Sequence, residues 1–298
     1  DLDRAVGDYT SAIAVNPRDF EAFNQRANVH MLNGDYSKAV ADYDRAIALN
    51  SRFAAGYTGR GEAYRVAGEL DRALLDFERA IRLEPSLAIA FDKRGLVRSE
   101  KRDYARAIED FDRALALDPV ATEAHVHRAL AYAASGASDR ALADFDIALN
   151  TNPNDRLSRV ARGNLFLQVG QLDRAIADYD QAIALNATFA DAFYNRGTAY
   201  ARKDDFIAAL ADFDRAIALD PSLPGAFATR GLTLVKARLY ARAIADLDRA
   251  LELAPRDAVA LYSRGLAKQQ TGDAAGADAD VARAREIDPN IERPVAGQ

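Results

Sequence analysis

The stretch "ADYDRAIALN" spans residues 41–50; it returns as "ADYDQAIALN" at 177–186 and as "ADFDRAIALD" at 211–220. Successive starts are separated by 136 and 34 residues, and 136 is four times 34. A fixed period of this length marks a repeat architecture, in which one short unit cannot bury its apolar face alone and is therefore copied and stacked.

With Phe20 set as position 1, eight full copies run without insertion: 20–53, 54–87, 88–121, 122–155, 156–189, 190–223, 224–257 and 258–291. Residues 1–19 fit the second half of a further copy, and 292–298 form a short tail with Pro294 and Gly297. Position 20 is alanine throughout, from Ala5 and Ala39 to Ala277, and position 27 is alanine from Ala12 to Ala284. Position 24 is large (Tyr9, Tyr43, Phe77, Phe111, Phe145, Tyr179, Phe213, Leu247, Val281), and position 8 is always Gly or Ala. Spacings of four and three put positions 20, 24 and 27 on one face of a helix, and positions 4, 8 and 11 on one face of an earlier helix. Gly34, Gly68, Gly136 and Gly170 at position 15 punctuate the two, and Pro17, Pro85, Pro119, Pro153, Pro221, Pro255 and Pro289 at position 32 end the second. Ser51 and Ala187 replace that proline. The expected fold is an all-α solenoid of stacked antiparallel helix pairs.

These positions resemble the tetratricopeptide repeat over essentially the whole chain, closest to the subtype with "NRG" in its first helix, as at Asn195-Arg196-Gly197. The resemblance implies a right-handed superhelix with first helices lining a concave groove. It also implies a function in binding a protein or peptide segment there.

Position 7, usually leucine in that family, is here Arg26, Arg60, Arg94, Arg128, Arg162, Arg196, Arg230 and Arg264. Position 23 is aspartate in every copy: Asp8, Asp42, Asp76, Asp110, Asp144, Asp178, Asp212, Asp246 and Asp280. Antiparallel helices joined by short turns bring these positions level, within a copy and across to the next. The expectation is a ladder of partly buried Arg–Asp pairs, some arginines bridging two copies.

Composition narrows the function. Of 298 residues 49% are hydrophobic and 28% charged, the net charge is −6, and no long basic run is present. A duplex nucleic-acid binder shows a basic face, so nucleic acid is not an expected partner. The chain has no cysteine. No apolar run reaches the ~18 residues of a membrane span. No N-terminal signal segment is visible, although the chain opens mid-pattern; cytoplasmic residence is favoured, with a removed signal as the alternative. His125 and His127 are two apart and point to different sides of a helix, so they are not read as joint ligands of a metal. The carboxylates recur with the period, whereas a catalytic pair is a singular event. No enzyme activity and no cofactor are expected.

The resemblance assigns the groove to positions 2, 5, 6, 9, 12 and 13. The candidates are the amides Asn24 and Asn28; the apolar Val126, Leu130 and Val160, broken by Asn164; Tyr194, Asn195 and Thr198; and Tyr262. Amides bond extended peptide backbone and tyrosines anchor contacts. A basic carboxylate clamp and an asparagine ladder at position 6 are both missing from the pattern. Two alternatives stand beside the scaffold reading. One is self-association through the open ends, especially the half copy at 1–19. The other is the recognition region of a larger enzyme or regulator.

Overall fold

The computed structural model describes residues 1–223 and 225–291; the tail expected at 292–298 lies outside them. The described residues form seventeen α-helices and no strand. A first compact unit covers residues 1–153 and a second begins at Asn154. The first unit holds α1 (Leu2–Val15), α2 (Phe20–Leu32), α3 (Tyr36–Leu49), α4 (Ala54–Val66), α5 (Leu70–Leu83), α6 (Ala88–Glu100), α7 (Tyr104–Leu117), α8 (Thr122–Ala134) and α9 (Ser138–Thr151). The second holds α10 (Arg156–Gln168), α11 (Leu172–Leu185), α12 (Ala190–Arg202), α13 (Phe206–Leu219), α14 (Ala226–Lys236), α15 (Tyr240–Leu253), α16 (Ala258–Thr271) and α17 (Ala274–Ile287).

The turns follow from single residues. Gly34 closes α2 with a left-handed φ of 76°; its N–H reaches the Met31 carbonyl, and the Asp35 N–H reaches His30. This is a helix stop that favours glycine because no Cβ is in the way. Arg102, Asp204 and Arg238 hold the same place at φ of 61°, 59° and 60°, so the stacked helices impose the turn even where glycine is missing. At the other turn the Asn or Asp at position 31 accepts from the N–H two residues on, as Asn50 does from Arg52 and Asn186 from Thr188. That bond is retained where Ser51 and Ala187 stand in for proline.

The core explains the invariant small residues. Ala39, Ala73, Ala107, Ala141, Ala175, Ala209 and Ala243 are all fully buried. A Cβ added at Gly61 would lie 2.9 Å from the Phe77 ring, and one at Gly95 2.6 Å from the Phe111 ring. Position 8 is small because the position-24 ring of its own pair lies against the first helix, closer than a methyl group allows. Within each unit, first helices of adjacent pairs touch one another, as α4 touches α2 and α6, while second helices do not. The first-helix side is therefore the tighter face of each stack.

Candidate peptide-binding face

The arginines at position 7 each reach into their own pair. Arg26 donates from Nε and Nη2 to the two carboxylate oxygens of Asp42, both at 2.7 Å. The same fork joins Arg60 to Asp76, Arg128 to Asp144, Arg162 to Asp178, Arg196 to Asp212, Arg230 to Asp246 and Arg264 to Asp280. Arg94 joins Asp110, a carboxylate that Arg98 also contacts at 2.8 Å. The bridge to the preceding pair does not run to its position-23 aspartate, as the levels of the helices suggested. It runs to position 25, two residues on: Arg60 Nη1 donates to Asp44, Arg128 to Asp112, Arg196 to Asp180, Arg230 to Asp214 and Arg264 to Asp248. Arg26 uses Thr10 there. The Asp76 bond, followed by Asp44, holds the Arg60 guanidinium above its ordinary pKa against the opposing effect of burial. These arginines are occupied in structure and do not offer a row of free cations.

Neighbouring first helices meet along a seam with a spacing of 35 residues. His127 Nδ1 lies 2.8 Å from Asp92 Oδ1, and the Tyr194 hydroxyl lies 3.0 Å from that of Thr229. Arg65 pairs with Glu100 across the same seam, and Arg202 donates to the Leu167 carbonyl. Burial raises the Glu62 carboxyl, but Arg65 and Lys93 together outweigh it and leave it below the usual range. His125, by contrast, fills the interior, bonded to Asp144 and to the Pro119 carbonyl. Among the described residues no cluster of His, Asp and Glu is placed to hold a metal ion. No described helix is long and apolar enough to cross a membrane.

The seam sorts the expected groove residues. Asn24 and Val160, both at position 5, are only 7% and 8% exposed. They offer little surface, contrary to the open groove position read from the sequence. Tyr194 at the same position is half-buried in its bond to Thr229, and Thr198 returns its hydroxyl to the Tyr194 carbonyl. Val126, Asn195 and Tyr262 are half-buried. The exposed candidates are at position 9: Leu130 at 47%, with Asn28 and Asn164. Both amides have a second engagement. The buried Tyr43 hydroxyl donates to Asn28 Oδ1 at 2.6 Å, and Tyr179 donates to Asn164 Oδ1 at 2.8 Å. Asn28 Nδ2 in turn donates to the Gln25 side-chain oxygen at 3.0 Å, so one of its two N–H groups is already engaged.

Helix pairs on a fixed period, joined by these ion pairs, define an α-solenoid of helical-hairpin repeats. Family profiles described as tetratricopeptide repeats match residues 20–53, 93–156 and 197–262, and one described as TPR repeat matches 163–204. The chain is a tetratricopeptide repeat protein. Solved structures agree in fold. The crystal structure of YrrB, described as a TPR protein with an unusual peptide-binding site, is 28% identical, with a TM-score of 0.54 over 63% of this chain and 97% of that one. A tetratricopeptide repeat protein from Parabacteroides merdae is 21% identical with a TM-score of 0.59, covering 78% of this chain and 93% of that one. The type IV pilus biogenesis factor PilW is 21% identical with a TM-score of 0.64, covering 68% and 94%. No curated protein sequence matches the chain. The fold is that of a protein-interaction scaffold.

Proposed function

We propose that the chain binds an extended peptide or protein segment on the first-helix faces of its units, without catalysis. The observation that supports this reading is the pair of exposed amides, Asn28 in one unit and Asn164 in the other, each oriented by a buried tyrosine hydroxyl. An exposed amide whose oxygen is held by a tyrosine keeps an N–H, the second one in the case of Asn28 beside Gln25, for the carbonyl groups of an extended backbone, with its orientation set before the ligand arrives. Leu130 adds apolar contact in the first unit, and the half-buried Asn195 and Tyr262 border the face in the second. The occupied arginine ladder argues against recognition of an acidic ligand by free cations.

The test is a display library of random peptides selected on the full chain. Selected peptides should lose binding to Asn28→Ala, Asn164→Ala or Leu130→Asp. They should keep it with Leu75→Asp and Ile207→Asp, which change exposed residues of second helices. Equal loss from both sets would reject the first-helix face.

A second reading, self-association through residues 1–19, draws support from α1, which buries none of its residues. Light scattering that shows an unchanged mass from micromolar to near-millimolar protein would reject it.

A further inference from the structure

In the second unit a pit of about 390 Å³ opens among α15, α16 and α17. Its size falls within the ~300–1,000 Å³ usual for ligand sites. Leu251, Leu261, Arg264 and Arg283 line it, and none of the groove candidates does.

The repeat itself shows what stands beside such groups. Leu261, Arg264 and Arg283 hold positions 4, 7 and 26 of the last copy. In four other copies position 4 is an aromatic ring, with the guanidinium groups of positions 7 and 26 both next to it. Arg26 and Arg45 lie 5.7 and 6.0 Å from the Phe23 centroid, and Arg60 and Arg79 lie 5.6 and 5.9 Å from that of Tyr57. Phe91 has Arg94 and Arg113 at 5.6 and 5.9 Å, and Phe193 has Arg196 and Arg215 at 5.5 and 6.0 Å. The last copy keeps both arginines but carries the shorter Leu261 in place of the ring. Its two arginines line an open pit instead.

The charges around the pit are already matched. Arg264 forks onto Asp280 and bridges to Asp248, and Glu252 pairs with Arg249. Arg283 Nη2 donates to the Pro255 carbonyl at 3.3 Å. Asp248 and Glu252 stand on the same wall, so a carboxylate or phosphate would meet like charge. Ion pairs in the plane of a guanidinium leave its face free: Arg60 holds Asp76 and Asp44 while lying over the Tyr57 ring. A neutral aromatic ring gains from a cation at its face, and an aliphatic group does not.

We propose that this pit is a docking site for a phenylalanine or tyrosine side chain of a protein partner, whose ring takes the place beside Arg264 and Arg283 that position 4 fills in those four copies. There too the ring is carried by a polypeptide, and Arg283 is exposed, so a partner chain can pass outside it. The site is independent of the first-helix face and stands or falls without it.

The experiment follows the methyl NMR signals of Leu251 and Leu261 in the full chain. The probes are toluene, methylcyclohexane and N-acetylphenylalaninamide. Toluene and N-acetylphenylalaninamide should each shift both leucines in a saturable way. Arg283→Gln should weaken both aromatic probes about two- to five-fold, the size of one exposed cation–π contact, and leave methylcyclohexane unchanged. Leu261→Phe supplies from within the ring of the other copies, and should abolish aromatic binding while the circular dichroism stays helical. If that variant does not fold, Arg283→Gln decides alone. No shift from either aromatic probe, equal weakening of toluene and methylcyclohexane by Arg283→Gln, or aromatic binding that survives in folded Leu261→Phe would overturn the assignment. Toluene binding without N-acetylphenylalaninamide binding would give the pit to a free aromatic molecule and reject the side chain.

Discussion

Tyr43 donates its buried hydroxyl to Asn28 at 2.6 Å, and 136 residues later Tyr179 donates to Asn164 in the same way. Among the eight full copies, the two with tyrosine at position 24 are the ones with asparagine at position 9. Where position 24 is Phe111 or Phe145, position 9 is Leu96 or Leu130. The amide satisfies a hydroxyl that burial would otherwise leave unpaired. Asn28→Leu alone should therefore cost about 1–3 kcal/mol. Adding Tyr43→Phe should return most of it, since the double variant recreates the pairing of the third and fourth copies. Urea unfolding of both variants checks this; a double variant no more stable than the single would show that the bond is incidental.

The ladder arginines are not equivalent. Asp76 is buried with the Arg60 fork on it, whereas Asp110 has both Arg94 and Arg98. Arg60→Ala strands a buried carboxylate and should cost about 3–5 kcal/mol. Arg94→Ala leaves Asp110 a cation and should cost less than half of that. Thermal melts of the two variants side by side test the ordering.

The turn at position 15 demands a left-handed residue. Gly68 sits there at φ 79° and Arg238 at φ 60°. Gly68→Ala should destabilise by about 1 kcal/mol, because Cβ meets the carbonyl in this conformation. Arg238→Gly should raise stability by about 0.5 kcal/mol, strain relief exceeding the added chain entropy. Matched denaturant titrations would show these opposite shifts in midpoint.

Burial, followed by the nearby Glu62 or Asp178 carboxylate, raises the Tyr43 and Tyr179 phenols above the ordinary value of 10.0. In the unfolded chain these phenols ionise near that ordinary value, while in the folded chain they keep their protons. Unfolding above pH about 10 thus releases protons, and rising pH favours the unfolded state. This contribution is fully present below pH 10 and is lost as pH climbs towards the folded values. Absorbance at the phenolate band should show both tyrosines titrating only with unfolding. Tyr43→Phe with Tyr179→Phe should flatten the alkaline fall in melting temperature.

The period, the helix faces and the residues that end each helix were legible in the sequence, because they depend on neighbours at fixed spacings along one chain. The Tyr–Asn correlation was also there to be read, from two copies against the others. Position 7 facing position 23 within a pair follows from an antiparallel hairpin alone.

What joins one pair to the next was decided by the tertiary structure. Where an arginine bridges to the preceding pair, its partner proved to be position 25, as Asp44 for Arg60, a level that the spacing along one chain does not encode. Packing also buries Asn24 and Val160 and leaves Asn28, Leu130 and Asn164 open. A repeat sequence specifies which face of each helix is apolar; the packing of side chains between copies then sets how far one helix slides past the next, and with it which residues remain for a ligand.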